Sequence, residues 1–237
     1  YYGASIMPVA VIEELARRLP GMRLYNFYGQ TEMAPVATVL RPEDQMRKLG
    51  SAGRPALNVE TRVVDEADRP LPPGEVGEIV HRSPHLISEY HDDPEKTAAA
   101  FRGGWFHSGD LGRFDEDGYL YVVDRKKDMI KTGGENVASR EVEEAIFRHP
   151  EVAEVAVFGV PHPKWIEAVT AVVVPKAGAA PTAEAIMAHC REALSHFKAP
   201  KHVEIAAELP KNASGKILKR DLRLRFAEPI VPRLDRA

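Results

Sequence analysis

Asp124-Arg125-Lys126-Lys127-Asp128 is the stretch that decides how this chain folds, because the sequence pattern changes on either side of it. Before it, short strand-like segments alternate with turn sequences rich in proline and glycine. After it, helical and strand-like segments are longer and alternate regularly. A run of charged residues at such a change is typical of a solvated linker. The sequence therefore predicts a domain boundary at residues 125–128.

The segment after this boundary predicts a compact α+β domain. Apolar residues recur at helical spacing in two of its segments, which is typical of helices with one buried face. We assign residues 129–226 to this domain and residues 227–237 to a tail. The predicted order is helix, strand, strand, helix, strand and helix, at residues 139–149, 152–159, 168–175, 182–194, 203–207 and 217–226.

The segment before the boundary predicts two smaller parts. Residues 8–19 have apolar side chains at helical spacing, and a short apolar strand with a glycine follows at residues 24–29. This pattern indicates an α/β fragment over residues 1–57. Residues 58–124 indicate a small β-rich part, with one short helix that begins at Asp93-Pro94 because Asp caps helices and Pro is favoured in their first turn. Its predicted strands are residues 59–65, 75–82 and 119–124.

Composition excludes several classes of protein. The 237 residues include 32 Lys+Arg and 35 Asp+Glu, and the formal net charge of −3 does not favour a nucleic-acid partner. No run approaches the roughly 18 consecutive apolar residues of an integral membrane segment, and the first residues do not resemble a secretion signal. We therefore expect a cytoplasmic protein. Cys190 is the only cysteine, and its place on an apolar helical stripe predicts a buried thiol.

Two polar, glycine-containing segments in the first half have side chains suited to a nucleotide. Tyr28-Gly29-Gln30-Thr31-Glu32 follows a predicted strand, where open α/β sheets bind ligands. Its tyrosine could stack on a base, its threonine could donate to a phosphate, and its glutamate could hold Mg²⁺. In Trp105-Phe106-His107-Ser108-Gly109-Asp110, the final carboxylate could accept two ribose hydroxyls. Taken alone, either segment is equally consistent with a solvated polar turn.

Two lysine-containing segments follow in the second half. Residues 125–136 have four cations and two acids, and the paired glycines Gly133 and Gly134 permit close approach of a ligand to the backbone. Pro210-Lys211-Asn212-Ala213-Ser214-Gly215-Lys216 presents a lysine just before a predicted helix. It lies within residues 196–226, where eight Lys/Arg outnumber three Asp/Glu. This excess of positive charge can attract anions, although surface lysines also serve solubility alone. We interpret all four polar segments as loops.

Taken in this order, and together with Tyr2-Gly3-Ala4-Ser5-Ile6-Met7-Pro8, these segments resemble the adenylate-forming enzyme superfamily. The similarity extends from residue 1 to about residue 226 and is greatest to bacterial fatty-acyl-CoA synthetases. The resemblance implies an α/β fragment of a large N-terminal domain plus a small β-barrel, followed by a mobile, compact α+β C-terminal domain. It also implies that Lys127 lies at the hinge between them.

The resemblance implies ATP-dependent activation of a fatty or other apolar carboxylic acid through an acyl-adenylate, followed by transfer to coenzyme A. ATP, Mg²⁺ and coenzyme A are the implied cofactors, and a homo-oligomer is compatible with the family. An adenylation domain that loads a carrier-protein thiol and a non-catalytic nucleotide-binding module are the alternatives. Family members have a phosphate loop farther upstream that this sequence lacks. We therefore expect a C-terminal part of a longer enzyme, inactive by itself.

The resemblance also implies roles for individual residues. Lys216 would neutralise charge at the α-phosphate in the first step, and the segment starting at Lys131 would replace it in the second. Thr31 and Glu32 complete the implied catalytic residues, and Glu32 is the implied Mg²⁺ ligand. The residues implied to bind ATP or AMP are Gly3, Ala4, Ser5, Asn26, Phe27, Tyr28, Gly29, Gln30, Thr31, Asp110, Val122, Arg125 and Lys216. Those implied to bind coenzyme A are Gly133, Gly134 and Glu135.

Overall fold

The structure is a computed structural model that describes residues 1–5, 7–213 and 215–226. The chain divides into two compact units, Tyr1–Lys127 and Asp128–Ala237. This division falls inside the segment 125–128, where we predict a hinge; the hinge motion itself stays a prediction. Ile6 of the first motif, Ser214 of the last motif and the predicted tail 227–237 lie outside the described residues.

The first sheet of the Tyr1–Lys127 unit consists of β1 (Tyr2–Gly3), β2 (Asn26–Tyr28), β3 (Thr38–Leu40) and β4 (Arg54–Pro55), in that order. Strands β1 and β2 are parallel and are joined by helix α1 (Val9–Arg18), because a parallel pair requires a crossover. Gly3 permits this pairing, since a Cβ there would lie 2.4 Å from the Phe27 carbonyl oxygen. The sequence predicted α1 and β2, whereas the very short β1 and β4 have no pattern to detect.

The second sheet of this unit contains β5 (Glu60–Val64), β6 (Gly77–Arg82), β7 (Phe101–Arg102), β8 (Trp105–Phe114) and β9 (Leu120–Arg125). One edge of β8 pairs with β6, and its other edge pairs first with β7 and then with β9. Within the described ranges no pairing joins β9 to β5, so this sheet is open, whereas the resemblance implies a small β-barrel. The other edge of β9 is used by Gly53, whose carbonyl accepts the Leu120 amide at 2.8 Å.

The segment from Trp105 to Asp110 corrects a second prediction, because it lies inside strand β8 and is not a loop. Three residues of β8, from Ser108 to Asp110, lie opposite the single β6 residue Ile79. Gly109 has a φ of +70° at this point. A bulge of this kind bends the strand and redirects its side chains. A polar sequence containing glycine can therefore lie within a strand.

The described part of the Asp128–Ala237 unit is built on one five-stranded sheet and three helices. Its long hairpin pairs β12 with β13, and the other edge of β13 pairs with β10 and, in parallel, with β14. The order from α3 to α5 is the predicted one, but the hairpin β10–β11 was not predicted as strands. The elements are β10 (Ile130–Thr132), β11 (Glu135–Val137), α3 (Ser139–Phe147), β12 (Val152–His162), β13 (Ile166–Pro175), α4 (Ala183–Ala193), β14 (His202–Ile205) and α5 (Lys219–Arg225).

The two faces of this sheet are covered by different helices. Val155 and Val157 of β12 share one core cluster with residues of α3 and α4, whereas the intervening Ala156 shares another with Leu222 of α5. This alternation follows from the period of two along a strand. Cys190 of α4 is fully buried, as predicted, and burial raises the pKa of its thiol to about 11.

The start of α2 confirms the capping signal at Asp93, and a second helix is capped in the same way. The Asp93 carboxylate accepts the Lys96 amide at 2.9 Å at the start of α2 (Pro94–Ala100). The Thr182 hydroxyl accepts the Ala185 amide at the start of α4. Short polar side chains at these positions satisfy amides that have no partner within the helix. None of the helices in the described part of the chain has the length and apolarity to cross a membrane.

Candidate functional site

Asp110 is the centre of a polar cluster at the bulge of β8, and its side chain is only 6% exposed. The Tyr28 hydroxyl donates to its Oδ2 at 2.8 Å, and Gln30 Nε2 donates to the same oxygen at 3.1 Å. Arg125 Nε lies 3.1 Å from Oδ1. The structure therefore brings together four of the residues that the resemblance implies for nucleotide binding.

The parallel pair β1–β2 explains why two glycine-containing motifs meet. Ala4 and Ser5 follow the end of β1, and Gly29 follows the end of β2. Gly29 is needed there because a Cβ would lie 2.0 Å from the Pro35 carbonyl oxygen. Adjacent parallel strands end at the same edge of a sheet, which is where ligands bind in open α/β sheets. This edge, together with Asp110, forms the candidate nucleotide site.

The contacts of Asp110 bear on how it can hold a ribose. An ionised carboxylate has about four acceptor positions, and the two hydrogen bonds from Tyr28 and Gln30 both use Oδ2. Oδ1 faces Arg125 in an ion pair and keeps acceptor positions for ribose hydroxyls, so the bond to two of them stays a prediction. Burial and then the Asp110 charge raise the pKa of Tyr28 well above its usual value. Tyr28 therefore stays protonated and remains a donor at neutral pH.

Glu32 lies in a 3₁₀ turn, Thr31–Met33, directly after this edge. Its Oε1 accepts a hydrogen bond from the Tyr90 hydroxyl at 2.9 Å, and burial, followed by this bond, raises the pKa of Tyr90 to about 12. Across the described residues, no group of three or more His, Cys, Asp or Glu side chains could hold a metal ion. Mg²⁺ bound with a nucleotide is held by one or two carboxylates and by phosphate oxygens, and Glu32 fits that role.

Three residues implied to bind the nucleotide have side chains with other contacts. Asn26 Nδ2 donates to the Ser51 carbonyl at 3.1 Å. The Phe27 ring lies 5.6 Å from the Tyr1 ring, and along β2 it points to the opposite face from Tyr28. Val122 packs against the apolar cluster around Leu120. The structure does not bring these side chains to Asp110.

The segment implied to bind coenzyme A is a tight hairpin, not the loop we predicted. Gly133 and Gly134 form its two-residue turn, with φ values of +60° and +88°. Two consecutive positive φ values match the hairpin turn that favours glycine at both positions. The Lys131 amide donates to the Glu167 carboxylate at 2.7 Å, and Glu135 lies at the exposed start of β11.

The loop that presents Lys216 is closed by its own hydrogen bonds. Asn212 Oδ1 accepts the Lys216 amide at 2.8 Å, and the Asn212 amide donates back to the Lys216 carbonyl at 3.0 Å. Gly215 has a φ of +81° between them. Helix α5 begins at Lys219, two residues later than predicted, since the Leu218 amide still closes the loop onto Pro210. Lys216 is exposed in this unit.

His81 is a buried titratable residue that the sequence reasoning missed, since a lone His in a strand has no distinguishing pattern. It is fully buried in β6, and its ring centroid lies 6.1 Å from that of Tyr28. Nδ1 lies 3.0 Å from the Thr61 hydroxyl, while Nε2 has no hydrogen-bond partner among the described residues. Burial lowers the pKa of His81 to about 4 from 6.5.

We expect the buried His81 to make the Tyr1–Lys127 unit less stable in acid. Above pH 6.5, the unfolded pKa, His81 is neutral in both states and does not lower the free energy of unfolding. As pH falls from 6.5 toward 4, only the unfolded state takes up the proton, so the free energy of unfolding decreases. The expected loss of unfolding free energy between pH 7 and about pH 5 is about 2 kcal/mol. Urea unfolding at both pH values should show a smaller loss for His81→Leu. An equal loss in both proteins would contradict this assignment.

Comparison with known proteins gives consistent matches over both units. The family model for AMP-binding enzymes matches residues 1–91, and the model for the AMP-binding enzyme C-terminal domain matches residues 141–216. The chain is 46% identical over 236 residues to the medium/long-chain-fatty-acid–CoA ligase FadD8 of Mycobacterium tuberculosis. That match includes 96% of this chain and 41% of the relative, so the chain spans about two fifths of the curated relatives it matches.

Two solved structures are similar over most of the chain. ATP-bound MatB from Rhodopseudomonas palustris has a TM-score of 0.89 and 36% identity, over 95% of this chain and 45% of that one. The o-succinylbenzoate CoA synthetase MenE from Bacillus subtilis, in complex with the acyl-adenylate intermediate OSB-AMP, has a TM-score of 0.85 and 35% identity. That similarity covers 93% of this chain and 45% of MenE.

Proposed function

The chain belongs to the family of AMP-binding enzymes, and from this premise we propose that it is the C-terminal part of an ATP-dependent acyl-CoA ligase. The proposed reaction joins a carboxylic acid to AMP with release of pyrophosphate, and then transfers the acyl group to the thiol of coenzyme A. The observation that carries the proposal is the Asp110 carboxylate, held by Tyr28, Gln30 and Arg125 at the edge where β2 ends.

In the proposed first step, residues of the Tyr1–Lys127 unit hold the nucleotide. Asp110 accepts a ribose hydroxyl, and the Arg125 guanidinium balances its charge. The exposed Thr31 hydroxyl donates to the α-phosphate. Glu32 would hold Mg²⁺, which supplies positive charge to the phosphates when bound. The Tyr90 hydroxyl fixes the orientation of the Glu32 carboxylate.

Lys216 is the proposed catalytic cation of this step. As the acid carboxylate attacks the α-phosphate, negative charge increases on the phosphate oxygens and on the departing pyrophosphate. A fixed ammonium group stabilises such charge in the transition state. The hydrogen bonds between Asn212 and Lys216 fix the backbone from which the side chain extends, so less ordering is needed during the reaction.

In the proposed second step, the segment that begins at Lys131 replaces the Lys216 loop after a rotation at Lys127. The Gly133-Gly134 turn has no side chains, and a Cβ built at Gly134 meets nothing within 4 Å. Such a turn permits close approach of the pantetheine arm of coenzyme A to the backbone. One active site thus uses two sets of groups in turn.

The proposed acid substrate is a fatty or other apolar carboxylic acid. The support is the identity of 46% to a ligase whose name specifies medium- and long-chain fatty acids. MenE, a structural neighbour, is named for the aromatic acid o-succinylbenzoate, so the neighbours include more than one acid class. An acid panel must therefore include both aliphatic and aromatic members.

The test uses the longer enzyme that contains this chain. Pyrophosphate release is measured with ATP, Mg²⁺ and a panel of fatty and aromatic acids, and thioester formation is measured with coenzyme A. We expect both products for apolar acids. Acid-dependent pyrophosphate release without a coenzyme A thioester would favour a domain that loads a carrier protein. Neither product with any acid would favour a non-catalytic nucleotide-binding module and would reject the proposal.

A further inference from the structure

Glu78 of β6 is a nearly buried carboxylate that no sequence motif identified and that the proposed mechanism does not yet use. Its side chain is 10% exposed. Oε1 accepts the Gly109 amide at 3.3 Å, at the bulge that orients Asp110. Oε2 lies 3.2 Å from Lys126 Nζ, one residue before the proposed hinge. One carboxylate thus contacts both the ribose-binding strand and the start of the linker.

A second hydrogen bond joins the same two places. The Lys126 amide donates to the Gly109 carbonyl at 2.9 Å, directly after the last residue of β9. Gly109 and Lys126 are therefore linked once through the backbone and once through Glu78. We call this arrangement of Glu78, Gly109 and Lys126 the Glu78 clasp.

The neighbouring contacts show why the bulge needs the clasp. The Ser108 hydroxyl donates to the Ile79 carbonyl at 2.6 Å and accepts the Asp110 amide at 3.1 Å, which fixes the residues on either side of Gly109. The Gly109 amide itself is out of register with β6, and Glu78 supplies its acceptor. An ionised acceptor forms stronger hydrogen bonds than a neutral one.

His107 lies on the other side of Glu78. His107 Nδ1 lies 3.3 Å from Glu78 Oε2, and its side chain is 6% exposed. This position explains why His107 does not pair with Asp110, although the two are three residues apart in sequence. Arg102 donates to this Nδ1 at 3.3 Å and pairs with Asp68 at 2.8 Å, so the nitrogen is an acceptor and makes no hydrogen bond to Glu78. The clasp itself therefore consists of Glu78, Gly109 and Lys126.

We propose that Glu78 is a positioning residue, which fixes the bulge bearing Asp110 and holds the chain as far as Lys126, so that rotation begins at Lys127. This inference rests on the proposed function for its effect on the reaction. Its structural part stands alone, because the clasp lies wholly within the Tyr1–Lys127 unit. A nearly buried carboxylate bonded to two separate backbone positions is suited to fixing both.

The first test measures hydrogen exchange of backbone amides in the full 237-residue chain. Glu78→Gln should speed exchange at Gly109 and Lys126 about tenfold, because an amide oxygen is a weaker acceptor and no longer attracts the ammonium. Exchange in β5 should not change. Glu75→Gln is the matched control, since it removes the same charge from an exposed residue nearby and should change neither amide. Unchanged exchange at both amides in folded Glu78→Gln would overturn the proposal.

A second variant keeps the test decisive if Glu78→Gln does not fold. Lys126→Met changes a side chain that is 58% exposed, so it should fold normally. It should speed exchange at Gly109 by at least about threefold, because Glu78 then loses the cation that holds it. Unchanged exchange at Gly109 in this variant would likewise overturn the clasp.

The third measurement uses the longer enzyme and separates positioning from simple destabilisation. Glu78→Gln should raise the KM for ATP about tenfold and change kcat of adenylation less than about twofold. The double variant Glu78→Gln/Lys126→Met should have the same KM for ATP as Glu78→Gln alone, since both changes break the same contact between Glu78 and Lys126. A fall in kcat of adenylation with an unchanged KM for ATP would overturn the positioning role of Glu78. If the wild-type enzyme shows no acid-dependent adenylation, the proposed function is rejected. The hydrogen-exchange results still test the Glu78 clasp, because they do not depend on activity.

Discussion

Lys216→Ala in the longer enzyme is expected to lower acyl-adenylate formation by at least about 100-fold, the effect of removing one preorganised charge donor from a transition state. Thioester formation from supplied acyl-adenylate should change much less, because no α-phosphate is attacked in that step. The two rates are measured separately, by single-turnover adenylation and by coenzyme A transfer.

Lys211→Ala is the matched control for this experiment. Lys211 is an exposed lysine of the same loop, and its ammonium pairs with Glu154 at 2.7 Å. Its removal takes away the same charge five residues earlier and should leave adenylation within about threefold of wild type, as for a surface ion pair. An equal loss of both half-reactions in Lys216→Ala would refute the assignment of Lys216 to the first step.

Lys127→Pro is expected to separate the two half-reactions. Proline fixes φ near about −65° and also restricts the preceding residue, so rotation at this point is hindered. One half-reaction should fall at least about tenfold while the other stays near wild type, because one domain orientation becomes harder to reach. Lys127→Ala removes the same side chain but keeps the backbone free, and it should affect both rates little. If both half-reactions change by the same factor in Lys127→Pro, residue 127 is not the hinge.

Sequence reasoning predicted the features that depend on local chemistry. The Asp93 cap, the helix at residues 9–18 and the apolar faces of α3 and α4 all follow from residues close together in sequence. Tyr28, Gln30 and Arg125, which contact Asp110, all belong to the quoted motifs, although the hydrogen bonds of Tyr28 and Gln30 to Asp110 were not predicted. The cytoplasmic location and the homo-oligomer stay predictions.

The features that sequence reasoning missed depend on pairing between distant segments. Tyr90 meets Glu32 from 58 residues away, and no spacing indicates that contact. In the open second sheet, Gly53 pairs with Leu120 of β9, a contact between segments 67 residues apart. Gly109 resembled a loop residue because a bulge, like a loop, favours glycine and polar neighbours. Glu78 lies within the predicted strand 75–82, and nothing in the sequence indicated its contacts with Gly109 and Lys126.

The most direct test of the proposed function is to look for the acyl-adenylate itself. The longer enzyme is mixed with ATP, Mg²⁺ and an apolar acid without coenzyme A, quenched within one turnover, and analysed by mass spectrometry. We expect an acyl-AMP that accumulates in wild type, disappears when coenzyme A is added, and is absent in Lys216→Ala. An acyl phosphate with ADP, or an acid that stays unmodified while ATP is bound, would contradict the proposed function.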